Sequence, residues 1–449
     1  MLLQLPFFIA LLVHDVDVGY RAWDARVSAK LDAQLAAIRA AGEPLTPADM
    51  DKLYPEPPPG QNGAEQYRAA FCLAEEVSDH VGMGDMHLPV VGTEPPIPSD
   101  QPLSKELLQD VESHLTLYKD VFQLLDEATD KAGCRFDVDF ANHPWEDIFG
   151  NLRGRYNPLW LYCLQALWHV ERGRPRQAAQ SLRRALRLTN SVGSAPTFMG
   201  IATATAGRGT VIWRLMDTVS RTTLPAASLE SLQEELTRSI EPDRLIRHKL
   251  GDRCLMLIMY SPESIARQRD DFLDGFSLSP FWFHHAALAL SPVYLKHETA
   301  SYLDIVSIQI AAARLPYPQD LMVGAKLKRG PENPSYSASG HARQFAPEDF
   351  KLLQCSRALC DSARAGLACL RYHAATGKLP ATLNALVPRF IEAVPVDPYN
   401  GTPLRYRKIE NGFVVYAVGQ NLKDDGGELN NGWEPCDVGF RVVRSNARF

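Results

Sequence analysis

The segment Asp424-Asp425-Gly426-Gly427 sets two carboxylates beside two glycines near the end of a 449-residue chain. Carboxylate and carbonyl oxygens on a flexible loop are the chemistry that holds a hard divalent cation. The plainer reading is a solvated turn, because Asp and Gly also dominate tight turns. The spacing is not that of an EF-hand, since no bidentate Glu closes the loop after Gly426.

Elsewhere the reactive residue types are scattered. His284-His285 follows Trp282-Phe283 and could act as metal ligands or bases if an acid such as Glu298 came near. That arrangement would make a hydrolase-type enzyme assembled from distant helices. The plainer reading is a packed pair at a helix start. His143, Trp145, Glu146 and Asp147 read as a capped helix start rather than a site. Arg176, Arg183, Arg184 and Arg187 fall on one helix and read as a solvated face, the alternative being contact with acidic lipids or a partner. None of the eight cysteines forms a C-x-x-C pair, so they read as small buried hydrophobes; one disulfide is compatible with a body outside the cytoplasm. No H-E-x-x-H, G-x-S-x-G, Walker or dinucleotide motif is present.

A net charge of −6 removes the electrostatic case for a nucleic-acid partner. Residues 1–13 are apolar apart from Gln4, too few to span a bilayer, which needs about 20. The expectation is a truncated membrane anchor at residues 1–19, with the body outside the cytoplasm; the alternatives are a buried terminal segment and a cytoplasmic protein.

The elements that must position these residues are mostly helical. Trp23, Val27, Leu31, Leu35 and Ile38 recur at helical spacing through residues 21–41. Thr46-Pro47 with Asp49 starts a short helix by capping chemistry. Further helices are expected over 62–77, as one long element over 104–132, and over 197–222, 229–239, 243–268 and 284–315. In residues 159–192, Tyr162, Ala166, Gly173, Ala178, Leu182 and Ala185 resemble the small and large positions of a single degenerate tetratricopeptide helix pair. Residues 20–315 therefore form a helical body, and the Pro- and Gly-rich stretch 316–345 a surface loop.

Residues 346–449 change character. A helix over 347–376 ends at Gly377, and a short apolar helix is expected over 383–391. Leu404 and Tyr406 alternate with arginines as a strand, Asn411-Gly412 is a two-residue hairpin turn, 413–418 returns, and Val438, Phe440 and Val442 make a third strand. The order of Gly377-Lys378-Leu379-Pro380, Val394-Pro395, Asp397-Pro398, Pro403, Tyr406, Tyr416, Gly419 and Asp424-Asp425-Gly426-Gly427 resembles the periplasmic domain of the major pseudopilin of type II secretion. The resemblance covers roughly residues 346–445, under a quarter of the chain. It implies a calcium site formed by Asn421, Asp424, Asp425 and Asp437 together with loop carbonyls. About 345 residues precede the module, and its helix is amphipathic, so the chain does not read as a filament subunit.

The fold class expected is α+β overall: a mainly α-helical body followed by a small α+β module with a short antiparallel sheet. The function expected is that of a non-enzymatic, envelope-associated interaction or scaffold protein with a protein partner and calcium on its C-terminal loop.

Overall fold

Apolar side chains at helical spacing produce helices through most of the chain. The computed structural model describes residues 5–81, 87–92, 97–142, 156–240, 244–267, 288, 290–327, 338–429 and 436–444. The first helix, α1 (Leu5–Ala40), runs unbroken from the apolar start into the polar segment. Among the described residues, no helix is long and apolar enough to cross a membrane. α2 (Pro47–Leu53) begins with a complete capping box: Thr46 Oγ1 accepts the Asp49 amide, and the Asp49 carboxylate accepts the Thr46 amide.

α3 (Ala64–Val81) follows. The single helix expected over 104–132 is two, α4 (Lys105–Leu117) and α5 (Lys119–Thr129). The break is at Tyr118, whose backbone leaves the helical region at φ −95°, ψ 15°. Its ring is buried against His114, and its hydroxyl meets Ser78 on α3, so tertiary packing overrides the continuous apolar stripe. α6 (Tyr156–Glu171) and α7 (Pro175–Val192) form the helix pair expected near 159–192, turning at Gly173 with φ +66°. Tyr162, Ala166, Ala178, Leu182 and Ala185 are all buried.

α8 (Phe198–Arg221), α9 (Ala226–Arg238), α10 (Arg244–Met259) and α11 (Pro292–Ala313) complete the array. α1 lies along α11: Leu31, Leu35 and Ile38 pack on Tyr302 and Leu303, and Lys30 and Gln34 bond Asp304. The stretch expected as a loop over 316–345 is partly helical. α12 (Gln319–Gly324) forms because Leu321 can bury beside Phe350, and Gly324 lets that ring come within 2.0 Å of where a Cβ would stand. α13 (Ala338–Thr376) starts nine residues ahead of Pro347 and holds that proline inside the helix. Among α-helical residues this sacrifices one backbone hydrogen bond.

α13 packs on α8, α9, α11 and the sheet. One core joins the body from Ala64 to Leu236 with α13 and the sheet from Ala358 to Val442, so the module shares it with the body. The apolar helix expected over 383–391 is only a 3-10 turn at Leu383–Leu386, because Pro388 cannot extend it. The sheet has the order β1 (Arg405–Ile409), β2 (Gly412–Ala417), β3 (Val438–Val443), all antiparallel. Ile409 pairs with Gly412, so the hairpin loop is Glu410-Asn411, one residue earlier than expected. Gly412 serves β3 instead: a Cβ there would sit 1.8 Å from the Val442 carbonyl oxygen.

Candidate metal loop at the C-terminal sheet

The acidic loop connects β2 to β3. Gly426 and Gly427 both adopt left-handed backbone, at φ +72° and +79°, which side-chain-bearing residues rarely do. This folds the loop back on β2, and a Cβ at Gly427 would lie 2.7 Å from a Val414 methyl.

Each of the four expected ligands has a definite place. Asn421 bridges within the loop: its Oδ1 accepts the Lys423 amide at 3.0 Å, and its Nδ2 donates to Asp425 at 2.9 Å. Asp424 is half exposed and already accepts three donors, the Gly426 amide, the Tyr416 hydroxyl and Arg405 Nε, each at 3.0 Å. Its carboxyl is held below the usual range, first by the Gly426 amide, with burial opposing and the Tyr416 hydroxyl and Arg405 assisting. Asp437 is only 2% exposed. Its Oδ2 accepts the Gly427 amide at 2.7 Å, and among the described residues its Oδ1 has no hydrogen-bond partner. Burial pushes its carboxyl up, the Gly427 and Asp425 amides pull it down, and the charges of Asp424 and Asp425 push it up further. The charges of Asp424 and Asp425 thus reach Asp437. Among the described residues, however, no group of three or more His, Cys, Asp or Glu is gathered as a metal cluster.

The structure adds residues that the sequence did not single out. Arg407 donates to the Gly426 carbonyl at 2.8 Å, and Arg441 to the Gly427 carbonyl at 2.5 Å, so β1 and β3 brace the loop from both sides. Arg405 lies between two acids, reaching Asp424 with Nε and Asp397 with Nη1 at 3.3 Å. Asp397 is fully buried and accepts the Tyr399 and Val418 amides at 2.8 Å, tying the 397–400 turn to the end of β2. The alternation Arg405, Arg407 along β1 was the available signal, since residues two apart on a strand share a face.

The remaining candidates divide plainly. His284, His285, His143, Trp145, Glu146 and Asp147 lie outside the described residues; Glu298 is buried on α11. The arginine face on α7 is not merely solvated. Arg184 pairs with Asp126, and Arg187 pairs with the buried Glu235 at 3.0 Å while donating to the Thr129 carbonyl at the end of α5. None of the eight cysteines is in a disulfide. A cleft of about 630 Å³ opens beside Arg187, Glu235, Ser191, Tyr54 and Arg247. Its central acid and base are joined to each other. Comparison of the chain with protein-family models, curated proteins and solved structures finds no match.

Proposed function

We propose that this chain is a non-enzymatic interaction or scaffold protein of the cell envelope whose C-terminal loop takes calcium. The observation that carries the metal assignment is the buried, partnerless Oδ1 of Asp437, set against the charges of Asp424 and Asp425. A buried carboxylate oxygen without a donor is costly, and a hard cation would relieve it. Asp425, Asn421 and the loop carbonyls supply the oxygen chemistry that calcium accepts at about 2.4 Å. The order of long helix, hairpin, acidic loop and closing strand supports the pseudopilin-like reading of the module. The scaffold reading draws on buried and partly buried ionisable side chains that are joined in pairs across helices: Lys249 with Asp349, Arg221 with Glu171, and Arg187 with Glu235. Such pairs hold elements together and leave neither group free for proton transfer.

Isothermal titration of the full-length chain with calcium and with magnesium tests the assignment. Calcium is expected to bind, magnesium to substitute poorly because it demands tighter octahedral geometry, and Asp437→Asn to abolish the heat. No calcium heat in the wild-type chain rejects it. On the same reading the body lies outside the cytoplasm, tethered near Met1 by the apolar run at residues 1–13. Fractionation of the native gene product checks this, and recovery in the cytoplasm counts against it.

A further inference from the structure

We propose that the outer edge of β1 docks an extended, acidic peptide segment of a partner protein, which adds a strand to the sheet and sets an apolar side chain in a hollow at the start of β1. The proposal rests on the interaction reading above, to which it gives a surface, and does not involve calcium.

The register fixes which backbone groups are open. Ile409 and Gly412 flank a two-residue turn and form a hydrogen-bonded pair, and the pairs alternate from there. Arg405, Arg407 and Ile409 turn their amides and carbonyls toward β2, whereas Tyr406 and Lys408 turn theirs away. The far side of the sheet follows the same alternation: the Arg441 and Val443 amides point off β3 and meet Met216 and Ser220 on α8, so that edge is covered. On β1 the outward row starts at Leu404, whose amide donates to the Pro395 carbonyl at 2.9 Å, and Val396 bridges Pro403 in antiparallel sense. The chain thus begins to pair with this edge and stops. Among the described residues, the outward amides and carbonyls of Tyr406 and Lys408 have no backbone partner.

Beside the open row lies a hollow of about 220 Å³, whose lining includes Leu383, Val394, Leu404 and Tyr406. Leu404 and Tyr406 belong to both features, so a strand laid on β1 passes the mouth of the hollow. Charge selects the occupant. Lys378, Arg407 and Lys408 are exposed, with Glu410 in the turn as the opposing acid. Arg407 and Lys408 bond the carbonyls of Gly426 and Leu379 rather than acids, so their charges stay available. A second copy of β1 fits poorly, because antiparallel pairing through Tyr406 and Lys408 sets Arg407 opposite Arg407. A peptide with acidic side chains on one face and apolar ones on the other meets the backbone row, the hollow and the charge together.

Fluorescence anisotropy of a labelled hexapeptide of alternating glutamate and leucine, added to the full-length chain, tests this. It is expected to bind at least tenfold more tightly than the same peptide with lysine for glutamate. Lys408→Pro removes an amide that β2 does not use and is expected to weaken binding at least tenfold. Lys408→Gln loses only the charge and is expected to weaken it several-fold. A wild-type measurement covers the case in which the proline variant does not fold. An added strand bonds through alternate amides, so N-methylation of one alternate set is expected to weaken binding tenfold more than methylation of the other. No binding of the acidic peptide, equal affinity in wild type and a folded Lys408→Pro, or equal effects of the two methylated sets overturns the proposal. A wild-type dimer that Lys408→Pro dissolves assigns the edge to a second copy and overturns it too. Each of these results leaves the calcium assignment to the titration above and the interaction reading to other surfaces.

Discussion

Asp437→Asn is the most informative single substitution. The native carboxylate is buried, with one oxygen bonded to the Gly427 amide and the other without a partner among the described residues. An orphaned buried acceptor costs about 1–3 kcal/mol. Asparagine keeps a carbonyl oxygen for Gly427 and removes both the charge and its repulsion from Asp424 and Asp425. The Nδ2 donor that replaces Oδ1 is itself left unpaired, so only the lost charge and its repulsion count, and the metal-free variant is expected to gain about 1 kcal/mol. In a chain of 449 residues, where unfolding entropy is roughly 2 cal/mol/K per residue, that is a rise of only about 1 °C, so urea unfolding is the better assay. Calcium at a hundredfold excess over its Kd should add about 2.7 kcal/mol to the wild type and nothing to the variant. The pH dependence has a definite sign. Burial raises the native carboxyl above its unfolded value, so the native state keeps a proton that the unfolded chain has lost. Metal-free stability from this group is highest below the unfolded value and falls as pH rises through the raised native value. Asparagine abolishes that fall, and the difference between wild type and variant isolates it. Calcium displaces the same proton, so its stabilising effect should grow over the same window. An asparagine variant that is less stable than wild type in metal-free buffer, or that calcium stabilises equally, refutes the reasoning.

Three further outcomes test the architecture. Gly366→Ala on α13 would put a methyl 2.3 Å from the Phe440 ring on β3 and should cost about 1–3 kcal/mol in urea unfolding; a neutral result would mean α13 and β3 do not pack as described. Glu235→Ala should cost about 3 kcal/mol, because it leaves Arg187 and Arg238 without their shared acid between α7 and α9; a loss below about 1 kcal/mol would show that pair to be dispensable. Asp252 is pushed up to about 7 by burial, with Lys249 and the Phe198 amide opposing, so its contribution to stability should fall as pH rises from about 4 through 7. Asp252→Asn should lack that component, and parallel urea midpoints for wild type and variant between pH 5 and 8 would contradict it.

The sequence by itself determined the class of the fold. Apolar spacing of 3.6 marked α1, α3, α6 and α7, local caps marked α2, and alternation with turn residues marked the three strands, because each of these signals is written in residues close together in the chain. It also located the acidic loop, and the resemblance of the C-terminal module added Asp437 to it. What it did not contain is anything that depends on which surfaces meet. The apolar stripe of residues 104–132 could not show that Tyr118 would be buried against His114 and bonded to Ser78, and so break the helix. Pro347 argued for a helix start, yet α13 runs through it, because the helix packs on α8, α9, α11 and the sheet. The site shows the same division. The resemblance implied four ligands, but only tertiary structure separates Asp424, spent on Tyr416 and Arg405, from the buried Asp437, whose Oδ1 has no partner among the described residues. Arg405 and Asp397 lie eight residues apart, and Arg441 sits 14 residues beyond Gly427. Their roles follow from cross-strand register and burial, which come into being only when the chain is folded.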